Sequence, residues 1–271
     1  MIGLATMSSV CPDWTLDEII AAMKRHGYQG LEPRVEWNHA CGIEAELTAA
    51  GRREVAQRLA DEGLEICCIA TGVRMAAADP LERARHVEDL RRYIDLAGDL
   101  GCSLVRTFGG QRSREVELQA VVDYVAAGYE AVMDQAAGRG VTVLLETHDD
   151  WSCAAPVRAV VEQVDHARLG VLWDFMHPQR MMEKAAHTFQ AIGSFTRHLH
   201  GHDGHYVDGK IKVGPLGAGV FDHATPLRLL GEAGFNGYFS IEVIHQKGSS
   251  HDADGVLGQY AEQFRRMIAG D

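Results

Sequence analysis

Eight times along the chain a short apolar run gives way to a longer amphipathic segment, and this alternation constrains the fold more than any other feature. Strands and helices in strict succession call for parallel pairing, because each helix carries the chain back to the same end of the sheet. The strand segments are Ile2–Met7, Gly30–Val35, Glu65–Thr71, Leu104–Gly109, Val141–His148, Gly170–Phe175, Thr196–His202 and Gly237–Ile244. Helical segments lie near 16–26, 48–62, 80–99, 115–138, 156–165, 181–192 and 224–233, with a last one near 253–268. In the first, Leu16, Ile19, Ile20 and Met23 recur at helical spacing, and Thr15 or Asp13 can cap its start. Gly27, Gly63, Gly101, Gly140 and Gly234 follow helix ends, where a left-handed residue is often needed. No Pro/Ser-rich linker interrupts the series, so residues 1–271 are expected to form a single domain. The length of 271 residues is close to the roughly 250 of one α/β barrel. Eight unbroken units favour a closed (β/α)₈ TIM barrel over an open doubly wound sheet, although periodicity does not give strand order.

Charge narrows the partners. Lys plus Arg is 26 against 38 Asp plus Glu, a net charge of −12, and the basic residues cluster no further than pairs such as Arg52-Arg53 and Arg91-Arg92. A phosphate backbone repels such a surface, so no nucleic-acid partner is expected. No apolar stretch approaches the roughly 20 residues of a membrane span, and Met1-Ile2-Gly3-Leu4 does not read as a signal peptide. The six cysteines form no C-x-x-C pair, and several sit in apolar runs, where a thiol is usually a small core residue. A reduced cytoplasmic location without membrane association is the expectation.

Barrel chemistry takes place at the C-terminal ends of the strands, so polar groups there are the ones to examine. The fifth strand ends in Glu146 and His148, and the sixth in Asp174 with His177 three residues later. The seventh carries His198, His200 and His202 at alternate positions, and the eighth holds Glu242 inside an apolar run. Asp174 follows Glu146 by 28 positions and His200 follows Asp174 by 26, each about one βα unit. Glu242 comes 42 positions after His200, one unit plus a long insert at 203–222. Taken singly, each residue reads as readily as a hydrogen-bonded or packed side chain. Taken together, three buried carboxylates at one level repel one another without a cation. Glu146, Asp174, His200 and Glu242 are therefore the expected ligands of one divalent ion. This oxygen-rich set favours Mn²⁺, with Mg²⁺, Co²⁺ or Zn²⁺ as substitutes.

The segments Leu144-Leu-Glu146-Thr-His148, Leu172-Trp-Asp174, His198-Leu-His200 and Phe239-Ser-Ile-Glu242 resemble the sugar-phosphate isomerase/epimerase family of xylose-isomerase-like barrels. That group includes ketose 3-epimerases, hydroxypyruvate isomerase, inosose dehydratase and endonuclease IV. The resemblance implies that the Glu, Asp, His and Glu hold the metal, that Glu146 and Glu242 are the catalytic acid/base pair, and that His177 contacts substrate. It also implies a homo-oligomer. The sequence departs from the epimerases at Tyr206, where they place a substrate-binding Arg, and at Ser152, where they place a carboxylate; many other members have Lys where this chain has His202.

The implied activity is isomerisation or epimerisation of a sugar, keto-sugar or small hydroxy-carbonyl compound through an enediolate, for which a metal polarises the carbonyl. Loss of a β-hydroxyl from the same intermediate would make a dehydratase or lyase. An endonuclease IV-like repair enzyme is a further alternative, disfavoured by the −12 charge. His148 and His202 share the inward parity of the ligands and are expected, with Glu32 and Arg34 of the second strand, to bind substrate; an ion pair is the other reading of the last two. Arg106 and Phe108 alternate on the fourth strand. Trp37 and Trp151 read as packing residues, Lys210 and Lys212 as solvated, and Gly214, Gly217 and Gly219 as a flexible loop without a nucleotide fingerprint.

Overall fold

The computed structural model describes residues 1–270. Its strands are β1 (Ile2–Met7), β2 (Gly30–Glu32), β3 (Glu65–Ile66), β4 (Ile69–Arg74), β5 (Leu104–Phe108), β6 (Thr142–Glu146), β7 (Leu169–Asp174), β8 (Thr196–Gly201), β9 (Asp203–Val207), β10 (Lys210–Gly214) and β11 (Gly237–Ile241). The helices are α1 (Leu16–His26), α2 (Ala49–Asp61), α3 (Pro80–Asp99), α4 (Leu118–Arg139), α5 (Ala154–Val164), α6 (Met176–Arg180), α7 (Ala185–Ile192), α8 (Ala224–Glu232) and α9 (Ala253–Ala269).

Nine strands make one parallel sheet in the order β3-β2-β1-β11-β8-β7-β6-β5-β4. Its two ends, β3 and β4, are separated in the chain only by Cys67 and Cys68, so the sheet meets itself. The Cys67 amide donates to the Leu31 carbonyl at 2.9 Å, the Ala70 amide to Pro33 at 3.0 Å and the Val35 amide to Ala70 at 3.1 Å. These bonds close a TIM barrel, as the repeated βα pattern predicts. Strand β2 is shorter than the Gly30–Val35 expected from hydropathy because Pro33 has no amide hydrogen to continue the ladder.

Local chemistry sets the helix ends. Thr15 accepts from the Glu18 amide while Glu18 reaches back to the Thr15 amide, a reciprocal cap on α1. Asp79 caps α3 ahead of Pro80. The main apolar core lies between the strands and the helices, and a smaller one of Ala5, Cys67, Cys68, Leu144 and Leu172 forms a separate buried cluster. Leu144 and Leu172 precede Glu146 and Asp174 by two residues, one step down the same strand face.

Two segments differ from expectation. The helix expected near 181–192 is α7, which begins only at Ala185; a separate short helix, α6, precedes it, and in the turn between them Met182 takes a φ of 63°. The insert at 203–222 opens with regular structure: β9 and β10 pair as an antiparallel hairpin that includes Gly214 and turns at Asp208 and Gly209 with φ of 50° and 73°, while Gly217 and Gly219 lie in the irregular stretch that follows.

Candidate metal centre

Four strands each deliver one side chain to the same place. Glu146 ends β6, Asp174 ends β7, His200 lies near the end of β8, and Glu242 follows β11 directly. One ligand-type atom from each lies within 4.8 Å of all the others. Glu146, Asp174 and His200 are fully buried, and Glu242 is 5 % exposed.

Hydrogen bonding fixes what these atoms offer. His200 Nε2 lies 3.0 and 3.1 Å from the two carboxylate oxygens of Glu32. A carboxylate only accepts, so this nitrogen carries the proton. In the neutral ring, Nδ1 then turns its lone pair toward Glu146 Oε1 at 3.2 Å and Glu242 Oε2 at 3.4 Å. Glu146 Oε2 and Asp174 Oδ2 make no well-aligned hydrogen bond, and each has one cationic neighbour, Arg106 Nε at 3.2 Å and His202 Nε2 at 3.1 Å. Converging buried lone pairs require positive charge between them, and the donor set fits a divalent cation. In the protein alone, burial acts to depress the His200 pKa, but the carboxylates of Glu32, Glu242 and Glu146 outweigh it and hold the imidazole well above its ordinary value. Burial likewise acts to raise Asp174 and Glu242. The neighbouring imidazoles, His202 first for Asp174 and His200 first for Glu242, pull both below the usual carboxylate range.

The remaining expected site residues fall at three levels. Beside the four ligands, His202 Nε2 lies 3.1 Å from Asp174 Oδ2, and His177 Nε2 lies 4.0 Å from the same oxygen. The His148 ring stacks edge-on against His177 at 4.3 Å and tilts against Phe108 at 4.6 Å, so these three line one wall. Glu32 sits differently from the substrate-binding role expected of it. It is fully buried and both His198 and His200 point their Nε2 atoms at it, His198 from 3.0 Å. Arg34 is also committed within the protein. Its Nη1 donates to the carbonyls of Val35 and Ala70 and pairs with Glu36, while the guanidinium lies 4.5 Å over Trp37. Trp151 packs on Gly109, where any Cβ would strike the indole.

Sequence reasoning did not foresee Arg106 and His198 as supports of the centre. Arg106 Nε lies 3.2 Å from Glu146 Oε2, its Nη1 donates to the Thr71 carbonyl, and the group stacks 4.0 Å over Phe108. The inward parity of both residues was visible, since Arg106 precedes Phe108 and His198 precedes His200 by two. The pairings were not: Arg106 meets Glu146 on the neighbouring strand β6, whereas His198 meets Glu32 on β2, a strand not adjacent to β8 that the curvature of the barrel brings near.

The chain matches the family described as xylose isomerase-like TIM barrel over residues 20–267. It belongs to that family. A curated relative of this xylose isomerase-like barrel, the 3-dehydroshikimate dehydratase of Bacillus anthracis, is 24 % identical over 186 residues. That match covers 68 % of this chain and 64 % of the relative, so the chain spans somewhat less than two thirds of its length. Among solved structures, the IOLI protein with a bound zinc atom superimposes with a TM-score of 0.84 at 15 % identity, covering 99 % of each chain. L-ribulose 3-epimerase superimposes with a TM-score of 0.82 at 19 % identity, covering 100 % of this chain and 95 % of the other. The named relatives thus include a dehydratase and an epimerase, and the resemblance read from the strand-end motifs is borne out at family level. Among the described residues no helix is long and apolar enough to cross a membrane.

Proposed function

We propose that this xylose isomerase-like barrel is a divalent-metal-dependent isomerase or epimerase of a sugar or small hydroxy-carbonyl compound, with Glu146 and Glu242 as its acid/base pair. One observation carries the reading. β6 and β11 are not neighbours, since β7 and β8 stand between them, yet Glu146 and Glu242 approach the same His200 nitrogen. Two carboxylates reaching one point from separate strands can flank a reacting carbon.

The ion held by Glu146, Asp174, His200 and Glu242, Mn²⁺ by preference for this oxygen-rich set, would polarise a carbonyl oxygen and acidify the adjacent C–H. One glutamate then takes the proton from that carbon, leaving an enediolate, and a glutamate returns a proton. Return to the opposite face gives an epimer, and return to the neighbouring carbon gives an isomer. Glu242, the one ligand of the four that retains some exposure, stands nearest the solvent side. Glu146 is backed by Arg106, which keeps its carboxylate in place. His148 and His177 form the wall against which a polyhydroxylated substrate would lie.

A second reading, dehydration, draws on the match to a 3-dehydroshikimate dehydratase. It shares the first proton transfer, after which the β-hydroxyl leaves as water with a proton from the opposite glutamate.

The test is turnover of Mn²⁺-loaded protein on ketoses, keto-sugars, their phosphates and 3-dehydroshikimate, with Glu146→Gln and Glu242→Gln beside it. Each variant is expected to fold and to lose about 10²–10⁴-fold in turnover, the usual contribution of a positioned proton-transfer group. Near-wild-type rates in both variants overturn the two-glutamate mechanism.

A further inference from the structure

We propose that the N-terminal mouth of the barrel is a second binding site, for a small metabolite bearing a carboxylate or a phosphate, which it seats on Arg168 and Arg197. The site lies at the opposite end of the strands from the metal centre and does not depend on that reading.

A cavity of about 580 Å³ opens at this mouth, a size that suits a small molecule. Its lining comes from the starts of the strands. Arg168 directly precedes β7, and Arg197 is the second residue of β8, the strand paired with β7. Leu104 opens β5, and Tyr238 is the second residue of β11. Asp174 stands six residues beyond Arg168 along β7, roughly 20 Å away, so the two ends cannot share a small ligand. Leu104 and Tyr238 pack against the small apolar cluster inside the barrel and give the cavity an apolar floor. Gly3 leaves room for the Tyr238 ring, since a Cβ there would come within 2.7 Å of it.

The charge of this mouth runs against that of the chain, which carries −12. The charged side chains in the lining are Arg168, Arg197 and Glu65. Among the described residues neither arginine has a carboxylate partner. Arg168 Nη1 donates to the Gly140 carbonyl at 3.1 Å, and Arg197 Nη1 to the carbonyls of Ser194 and Thr196 at 2.8 and 2.9 Å. The stem of Arg197 lies over Gly170, where a Cβ would come within 3.0 Å of its Cγ. Carbonyls orient a guanidinium without neutralising it. They engage one nitrogen of the three here, which leaves Nε and Nη2, the edge that pairs with two oxygens of a carboxylate or phosphate. Glu65 does not supply that anion, because it faces the Tyr238 hydroxyl; after burial, this carboxylate is the main cause that holds the phenol above its ordinary pKa. An anionic head on the two arginines, with an apolar body against Leu104 and Tyr238, matches the whole lining.

The experiment is calorimetric titration of the purified protein at low ionic strength with inorganic phosphate and, separately, with succinate. Wild type is compared with Arg168→Gln, Arg197→Gln and the double variant, and circular dichroism verifies each fold. Wild type is expected to bind at least one of the two anions saturably, and each single variant to bind it about 10-fold or more weakly, the cost of one lost charge-assisted pair. Preference for phosphate assigns a phosphate-bearing ligand, and preference for succinate a carboxylate-bearing one. Arg197→Lys keeps the charge but not the two-nitrogen edge, and is expected to fall between wild type and Arg197→Gln. No saturable binding of either anion by wild type overturns the site. So does binding by the double variant that matches wild type, since the anion would then sit elsewhere on the molecule.

Discussion

Glu32 shows how much of the centre depends on a residue with no direct claim to the metal. It sits on β2 and meets His200 on β8 across 168 positions of sequence. Burial acts to raise its pKa, but His200 and then His198 outweigh it and hold the carboxyl well below the usual range, so it is a fixed anion beneath the ligand shell. It keeps the proton of His200 on Nε2 and thereby aims Nδ1 at the centre. Outer partners of this kind typically change metal affinity by about 10–100-fold, and Glu32→Gln is expected to weaken Mn²⁺ binding by about that factor with the fold intact. Competition against a fluorescent chelator measures it, and wild-type affinity in the variant would show that His200 needs no orienting partner. The convergence of Glu146, Asp174, His200 and Glu242 could be read from the sequence because each stands near the C-terminal end of a strand. Glu32 was visible as an inward polar residue on β2, but its role depends on which strand faces it, and periodicity does not carry strand order. The cysteines were legible for a simpler reason: apolar neighbours predict burial. Burial raises the Cys11 and Cys102 thiols to about 12 and puts Cys67 and Cys68 well above their ordinary value. Only Cys153 is partly exposed. Native protein should therefore expose about one thiol to a disulfide reagent, against all six after unfolding, because the thiolate is the reacting species. Rapid modification of several thiols in the native state would contradict the burial.

At the level of elements, the βα units were legible and the insert between β8 and α8 was not. Its hairpin carries few alternating apolar residues, and Lys210 and Lys212 read as solvated, which they are. The Asp208-Gly209 pair was a local turn signal, with both residues at positive φ as a tight hairpin turn demands. The decisive residue is Asp203, 1 % exposed at the start of β9. Its carboxylate accepts from the amides of Gly204 and Gly217 at 2.8 and 2.9 Å, and of Gly219 and Phe221 at 3.0 and 3.4 Å. This one anion gathers both ends of the insert, and it explains the glycines: a Cβ on Gly219 would strike the carboxylate itself. No phosphate is needed to account for the glycine-rich stretch, because an internal carboxylate already occupies its amides. Asp203→Ala removes an acceptor of charged hydrogen bonds, each worth about 1.5–3 kcal/mol, and strands buried amide donors. The expected result is proteolytic nicking confined to 203–222 at protease levels that leave wild type uncut. A variant as resistant as wild type would mean that the hairpin is held by its own ladder.

Across the whole molecule, the metal centre and barrel closure are linked. The four side chains proposed as ligands come from β6, β7, β8 and the end of β11, four strands consecutive around the ring. A cation there would tie these strands together at the C-terminal rim, while the small apolar cluster with Leu144 and Leu172 packs one step below on the same strand faces. Without it, three almost fully buried carboxylates crowd around His200, with only Arg106 beside Glu146 Oε2 and His202 beside Asp174 Oδ2 to offset their charge. Anything that binds only the folded state stabilises it by mass action, about 2.7 kcal/mol when the free ligand is at 100 times its dissociation constant. In a chain of this size each kcal/mol moves the melting temperature by about 2–4 °C, so saturating Mn²⁺ should raise it by about 5–10 °C over chelated protein. Asp174→Asn replaces a charged ligand oxygen with a weak neutral donor. It should abolish most of that rise, and because the neighbouring imidazoles stabilise the Asp174 anion in the metal-free fold, the chelated variant should melt at or below wild type. The two measurements separate a cation that joins the strands from one adsorbed elsewhere. Equal melting temperatures with and without Mn²⁺ in wild type, or an undiminished rise in Asp174→Asn, would place the ion outside this centre.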